Sequence, residues 1–255
     1  MTAPVRITGI SVGDQLTAAR SVADQSEAEL GGPRSLLVRQ RKDHALLDRL
    51  LGDLRGTDGP EQDEVLTRLG RLVFPHAYGE ETVLWPVLRA VLPDGEALTL
   101  RNEQEHQRIN ELFSQLDRTP SGDPRRAQLV EALVELLHQD ARDEEDLLLP
   151  RLQQALTVQQ LRRLGRTWAV VRRTAPTRPH PVVSRRPPGN LVSGLPLAIL
   201  DRTRDRLDRT ARAVPALAAP AAAVSRALAV IAGALEHLPP IPHGERAATS
   251  VGHTA

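Results

Sequence analysis

One polar pattern occurs twice in this chain, and the repeat restricts the fold more than any other feature. In each copy a histidine is followed about thirty residues later by an acid-bearing helix that ends in Glu-Glu, with a proline five residues after the second Glu. The first copy holds Asp43, His44, His76, Glu80, Glu81 and Pro86; the second holds Glu105, His106, Asp140, Glu144, Glu145 and Pro150. His44 and His106 are 62 residues apart, while Glu80 to Glu144 and Pro86 to Pro150 both span 64. Two copies of a two-helix unit place four helices around two similar half-sites, which is how a bundle builds a two-metal centre with internal pseudo-symmetry.

The 255-residue chain is long enough to bury a bundle core and to carry further material. Leu and Ala dominate its apolar content and only 2% is aromatic, which favours an all-α fold over sheet. Leu36, Leu37, Leu47, Leu50, Leu51 and Leu54 give a first helix, over about 33–53, an apolar stripe that stops at the GTDGP turn. The second spans about 61–91. There Leu69, Val73, His76, Glu80 and Leu84 recur every three or four residues, so His76 and Glu80 face inward, and Pro86 is expected to kink the helix beyond the site. A third runs over about 96–116, with His106 among the core candidates Leu98, Ile109, Leu112 and Phe113. In the fourth, over about 124–149, Leu133, Leu137, Asp140, Glu144 and Leu148 repeat the stripe of the second. Acids on a leucine stripe lose their water and need a cation or hydrogen bonds in its place.

Imidazole nitrogen and carboxylate oxygen suit non-haem iron or manganese, and a carboxylate can bridge two ions where a neutral histidine cannot. Glu80 and Glu144 are the expected bridges, with His44 and His76 completing one ion and His106 and Asp140 the other. Which histidine serves which ion depends on the handedness of the bundle. A lone helical histidine is more often a packed or surface residue; here three recur with matched carboxylates, which favours metal. Glu81 and Glu145 are expected to face solvent or to support the ligands, and Tyr78, the one tyrosine, is off the His76 face. Trp85 and Trp168 read as packing residues where bundle meets cap.

Several function classes are excluded or weakened. The absence of cysteine rules out disulfides, thiolate metal sites and cysteine nucleophiles. A net charge of +1 without a long basic tract gives little support to nucleic-acid binding. The opening MTAPVRITGISVGDQ lacks the pattern of a secretion signal, so a cytoplasmic location is the expectation. The apolar stretch 213–235 is interrupted by Pro215, Pro220, Ser225 and Arg226 and reads poorly as a membrane span.

DHALLDRL at 43–50, HAYGEETVLWPVL at 76–88, EHQRINEL at 105–112 and DARDEEDLLLPRL at 140–152 together resemble the hemerythrin-like family, in its bacterial HHE branch. The resemblance covers about 33–155. It implies an up-down-up-down four-helix bundle with two non-haem iron ions, in a family whose members bind oxygen reversibly, sense oxygen or iron, or handle peroxide and nitric oxide. Its ligand pattern maps onto His44, His76, Glu80, His106 and Glu144, with a histidine expected at 140. This chain has Asp140 there, and a histidine at His138 instead. Two residues turn a helix by about 200°, so both cannot point at one centre. The Glu-Glu and proline anchors favour Asp140; the competing register pairs His138 with Asp143. Asn102 stands where oxygen-carrying relatives place another histidine, which leaves an open coordination position. A carboxylate-rich site favours the ferric state and makes manganese or a mixed centre conceivable.

Domain boundaries are expected as a flexible segment 1–32, the bundle 33–155, a capping helix and Pro-rich connector 156–190, a helical extension 191–238 and a mobile tail 239–255. The extension is expected to hold helices at about 196–212 and 221–236. Its DRTRDRLDRTARAV run reads as a solvated, ion-paired face. APTRPHP and PPGNLVSGLPLAILDRTRDRL look like the tail of actinobacterial members, with His180 in a loop and His237 and His243 unremarkable. That tail could self-associate into a homo-oligomer, cover the bundle or stay mobile. Two functions follow: chemistry or small-molecule binding (oxygen, peroxide, nitric oxide) at a di-iron centre, or a sensor without turnover.

Overall fold

The computed structural model describes residues 20–239 and 241, and every regular element among them is helical. Four rods form the bundle. The first is α1 (Leu36–Arg55). The second joins α2 (Gly59–Gly79) to α3 (Trp85–Val91), the third is α4 (Gly95–Arg118), and the fourth joins α5 (Arg126–Asp143) to α6 (Leu149–Ala155). The joints in the second and fourth rods are π-helical turns, Glu80–Leu84 and Glu144–Leu148, in which the Trp85 N–H bonds the Glu80 carbonyl and the Leu149 N–H the Glu144 carbonyl. Pro86 and Pro150 explain them. A proline lacks the N–H and crowds the carbonyl one turn back, and an extra residue per turn relieves both. The break expected from Pro86 beyond the site therefore lies within it, and the Pro150 half of the repeat has the same turn.

Two apolar clusters occupy the ends of the bundle. One joins Leu47–Leu54, Val65–Phe74, Ile109–Leu116 and Val130–Ala141 side chains, with Phe74 and Phe113 edge to face at 4.9 Å. The other gathers Leu36–Val38, Val83–Leu88 and Leu148–Leu152 with Leu161 and Trp168. Each rod crosses from one cluster to the other, in alternating direction, and each places its charged residues in the layer between.

Residues 20–32, expected as part of a flexible segment, instead pack on the bundle: Val22 and Leu30 are fully buried and join the second cluster. Helix α7 (Val158–Val171) begins at a capping box between Thr157 and Gln160 and covers α1, α2 and the first π turn. Its approach is close. A Cβ on Gly165 would come within 2.8 Å of the Leu36 N atom, and one on Gly79 within 2.6 Å of Trp168 Cδ1.

The extension forms a helical hairpin of α8 (Gly189–Ala213) and α9 (Ala218–Glu236). Helix α8 begins before Pro196 and continues through it; the carbonyl left without a donor, that of Val192, belongs to a residue half exposed to solvent. Of the prolines that interrupt the apolar stretch 213–235, Pro215 lies in the turn before α9 and Pro220 in the first turn of α9, where N–H groups have no partner anyway. By length and composition alone Pro215–Glu236 is long and apolar enough to cross a membrane, and little of it is buried. The connector is fixed to the bundle. The Tyr78 hydroxyl donates to the Asn190 carbonyl at 3.1 Å, the His180 N–H to Asn110 Oδ1 at 3.0 Å, and Arg186 reaches Glu103 at 2.6 Å. His243 and most of the expected mobile tail lie outside the described residues.

Candidate metal centre

The layer between the two apolar clusters brings His44, His76, Glu80, His106, Asp140 and Glu144 together. All three histidines turn Nε2 inward and Nδ1 outward. His44 Nδ1 donates to Glu145 at 2.9 Å, His76 Nδ1 to Asp43 at 3.0 Å and His106 Nδ1 to Glu81 at 3.0 Å. Such outer carboxylates fix the tautomer and aim the inner nitrogen. Glu81 and Glu145 are therefore supports of the histidines, and Glu81 is buried, which removes the solvent-facing reading for it. The supports cross between the halves of the repeat, Glu145 holding His44 and Glu81 holding His106.

Inside, Glu80 and Glu144 each approach histidines of both half-sites. Glu80 Oε1 lies 2.9 Å from His76 Nε2 while its Oε2 lies 3.6 Å from His106 Nε2. Glu144 Oε2 lies 3.2 Å from His44 Nε2 and its Oε1 4.0 Å from His106 Nε2. Two groups result, each compact enough for one ion: His44, His76 and Glu144, and Glu80, His106 and Glu144. Asp140 flanks the second, 3.8 Å from His106 Nε2, with Asn102 Nδ2 at 3.5 Å. His138 does not approach the centre; it is on the surface, 3.6 Å from Asp48.

Glu80 Oε2 and Glu144 Oε1 are buried with no hydrogen-bond partner, and both face the His106 half-site. A buried carboxylate oxygen without a donor is costly, and a hard cation satisfies it. The donor set, three imidazoles and three carboxylates, fits two iron or manganese ions. The two halves are not equivalent. Asp43 holds a histidine, but its repeat mate Glu105 stands beside Asp140, so two acids replace an acid and an imidazole.

Electrostatics follow from this packing. Burial alone would lower the His44 pKa, but hydrogen bonds to Glu144 and Glu145 outweigh it and raise the pKa to about 9. His106 is likewise pulled down by burial and raised to about 10 by Asp140, Glu81 and Glu80. His76 is held well above its ordinary value against the same burial by Glu80 and Asp43. Burial and the neighbouring Glu144 raise Asp140 and Glu80, whereas burial of Glu144 is overcome by its bonds to His44 and His76, which depress it. Raised histidine pKa values mean that protons compete with cations for the same inward nitrogens.

Sequence reasoning missed several partners. Gln40 donates to Glu80 Oε1 at 2.7 Å, and it is the repeat mate of Asn102 at the same 62-residue offset that relates His44 to His106. Trp168 stands edge-on to His76 at 5.6 Å and Trp85 stacks on His106 at 6.2 Å, so both tryptophans wall the centre. Arg172 lies 4.4 Å above Trp168 and donates to Asp43 at 2.7 Å. His180 is buried, giving Nδ1 to Glu236 at 2.7 Å and Nε2 to Asp201 at 3.0 Å, a pairing of three segments that no local pattern announces.

Residues 35–152 match the hemerythrin HHE cation binding domain family. The chain is also 24% identical, over 135 residues, to an uncharacterized hemerythrin-like protein of Schizosaccharomyces pombe, a match covering 52% of this chain and 66% of that relative. No solved structure matches the chain. The segment that folds into the four rods and carries every residue of the His/carboxylate centre is thus the part of the chain that is similar to the hemerythrin HHE cation binding domain family.

Proposed function

We propose that the chain is a non-haem di-iron protein that binds or reacts with oxygen, peroxide or nitric oxide, with His44, His76, Glu80, His106, Asp140 and Glu144 as ligands. The observation that carries this reading is that three inward imidazoles, each aimed by a carboxylate on its far nitrogen, converge on two acids that address both half-sites. Iron bound there supplies electrons and an open coordination position. The protein's own contribution is to hold the pair through Glu80 and Glu144, to aim the histidines through Glu145, Asp43 and Glu81, and to keep water scarce.

The ligand's size follows from the room available. A cavity of about 20 Å³ is lined by His44, His76, His106 and Asp140, with Asp43 and Asn110, and by apolar side chains such as Leu47, Phe74, Ile109 and Leu137. That is room for roughly one water-sized molecule, which suits a diatomic or peroxide. Asp140 in place of an imidazole makes the His106 side richer in hard oxygen donors, which stabilises ferric iron and favours redox chemistry over clean reversible oxygenation.

A second reading, a sensor without turnover, is favoured by one contact. Arg185 of the connector lies 3.7 Å from Glu81, the support of His106, so the centre and the extension share a residue. Metal content per chain, with the visible spectrum under dithionite, oxygen and peroxide, tests both. About two irons and an oxo-to-iron band support the centre. Turnover of peroxide selects the first reading, whereas no turnover with a change in protease cleavage of the extension selects the second. No metal and no band would refute both.

A further inference from the structure

Helix α8 divides its charges. Asp201, Asp205 and Asp208 lie on one face, at intervals of four and three residues, and meet His180 and Arg178. Arg202, Arg206 and Arg209 are each one residue further on, about 100° around the helix, and line a different surface, a cleft of about 630 Å³ between the extension and the bundle. Across that cleft stand Arg39, Arg71, Arg172 and Arg173. Seven guanidiniums thus share one cavity.

Its one acid does not neutralise them. Asp205 is already engaged by Arg71 at 2.8 Å, by Arg178 at 3.0 Å and by the Thr177 hydroxyl at 3.0 Å. Arg172 is committed to Asp43, and Arg202 to the carbonyls of Arg172 and Ala175. Arg39, Arg173, Arg206 and Arg209 have no acidic partner among the described residues, and the Nε atoms of Arg39, Arg172 and Arg202 are buried without an acceptor. Like charges packed this way repel one another, and three buried donors are left unmade; an anion seated between them removes both costs.

From this arrangement we infer that the cleft is a binding site for a small phosphate-bearing polyanion. Guanidinium forks match phosphate oxygens in pairs, which lysine does not do. The volume falls within the range of small-ligand sites. A nucleobase finds no stacking surface, because Trp168, the one aromatic residue lining the cleft, is buried beneath Arg172. Half-buried Arg39, Arg71, Arg172 and Arg202 form the floor, and exposed Arg173, Arg206 and Arg209 the mouth. Arg172 connects the floor of the cleft to His76 through Asp43.

The test is calorimetric titration of the full chain with pyrophosphate at fixed ionic strength, on wild type, on Arg206→Ala/Arg209→Ala and on Arg163→Ala/Arg166→Ala. The last pair removes the same charge from the exposed side of α7, outside the cleft. Saturable binding by wild type, weakened about tenfold or more in the cleft variant and little changed in the α7 variant, is the expected result. Co-sedimentation with phosphatidic acid vesicles, against phosphatidylcholine vesicles, separates the sources. Vesicle binding lost in the cleft variant would assign a lipid headgroup, and pyrophosphate binding alone a soluble phosphate. Absence of both, or equal weakening by the two double variants, would overturn the inference.

Discussion

Metal-free protein should lose stability as the solution becomes more alkaline, an unusual direction for a bundle whose waist is crowded with acids. The His44 pKa rises from an ordinary 6.5 to about 9 in the folded protein. A raised pKa stabilises the fold fully below the unfolded value and loses that contribution as pH climbs through the folded one. At 1.36 kcal/mol per unit, His44 alone contributes roughly 3 kcal/mol below pH 6.5, lost between about 6.5 and 9. His106, raised to about 10, acts in the same sense over a window reaching further. Raised Glu80 and Asp140 also favour the protonated, lower-pH state. Glu144 is depressed, so its contribution appears above its unfolded value and is constant across this window. Urea melts of chelator-treated protein at pH 6, 8 and 10 should show a falling midpoint. Iron- or manganese-loaded protein should separate from it increasingly with pH, because cations compete with protons for the same nitrogens. His180, also raised to about 9 in its own network, contributes equally to both curves and is removed by their difference. Apo stability that is flat or rising from pH 6.5 to 9 would refute the proton-held waist.

Three further outcomes are expected. Asp140→Ala should lower metal content at the His106 half-site while His138→Ala leaves it unchanged, read by elemental analysis per chain; the opposite result would install the other register. Glu81→Gln should weaken metal affinity about 10- to 100-fold, as loss of an outer carboxylate does, whereas Glu144→Ala, which removes an oxygen from both groups, should abolish loading. Gly79→Ala places a methyl against the Trp168 indole and should destabilise by about 1–3 kcal/mol in thermal melts; an unchanged midpoint would show that α7 is not packed as described.

Much of this was legible because a repeat states the same constraint twice. His44, His76, Glu80, His106 and Glu144 could be aligned by offset alone, and Asp140 was preferred to His138 because the leucine stripe ran through it; the surface position of His138 follows from the same stripe. The π turns were half legible: Pro86 announced a break, but its place depends on where a helix can widen while keeping both flanking faces buried. Gln40 is readable from the 62-residue offset that pairs it with Asn102. The His180 network was not readable. Its members Asn110, Asp201 and Glu236 are distant in sequence, and burial of a loop histidine is decided by what folds over it. The arginine cleft had the same obstacle, since alternating Asp and Arg on α8 look neutral until the two faces meet different neighbours.

The placement of the charged layer has a mechanical consequence. Apolar contacts bind each end of the bundle to itself, and across the middle the rods are joined by backbone and by polar groups. The molecule is therefore two oily caps on a common ionic hinge-pin, and the cohesion between the caps depends on what that pin contains. Protons make a weak one, dissolving with alkali; a pair of divalent ions makes a rigid one. Amide exchange should report the difference at a distance, with Leu50 and Leu152, in opposite caps, opening in concert when the pin is metal and separately when it is not.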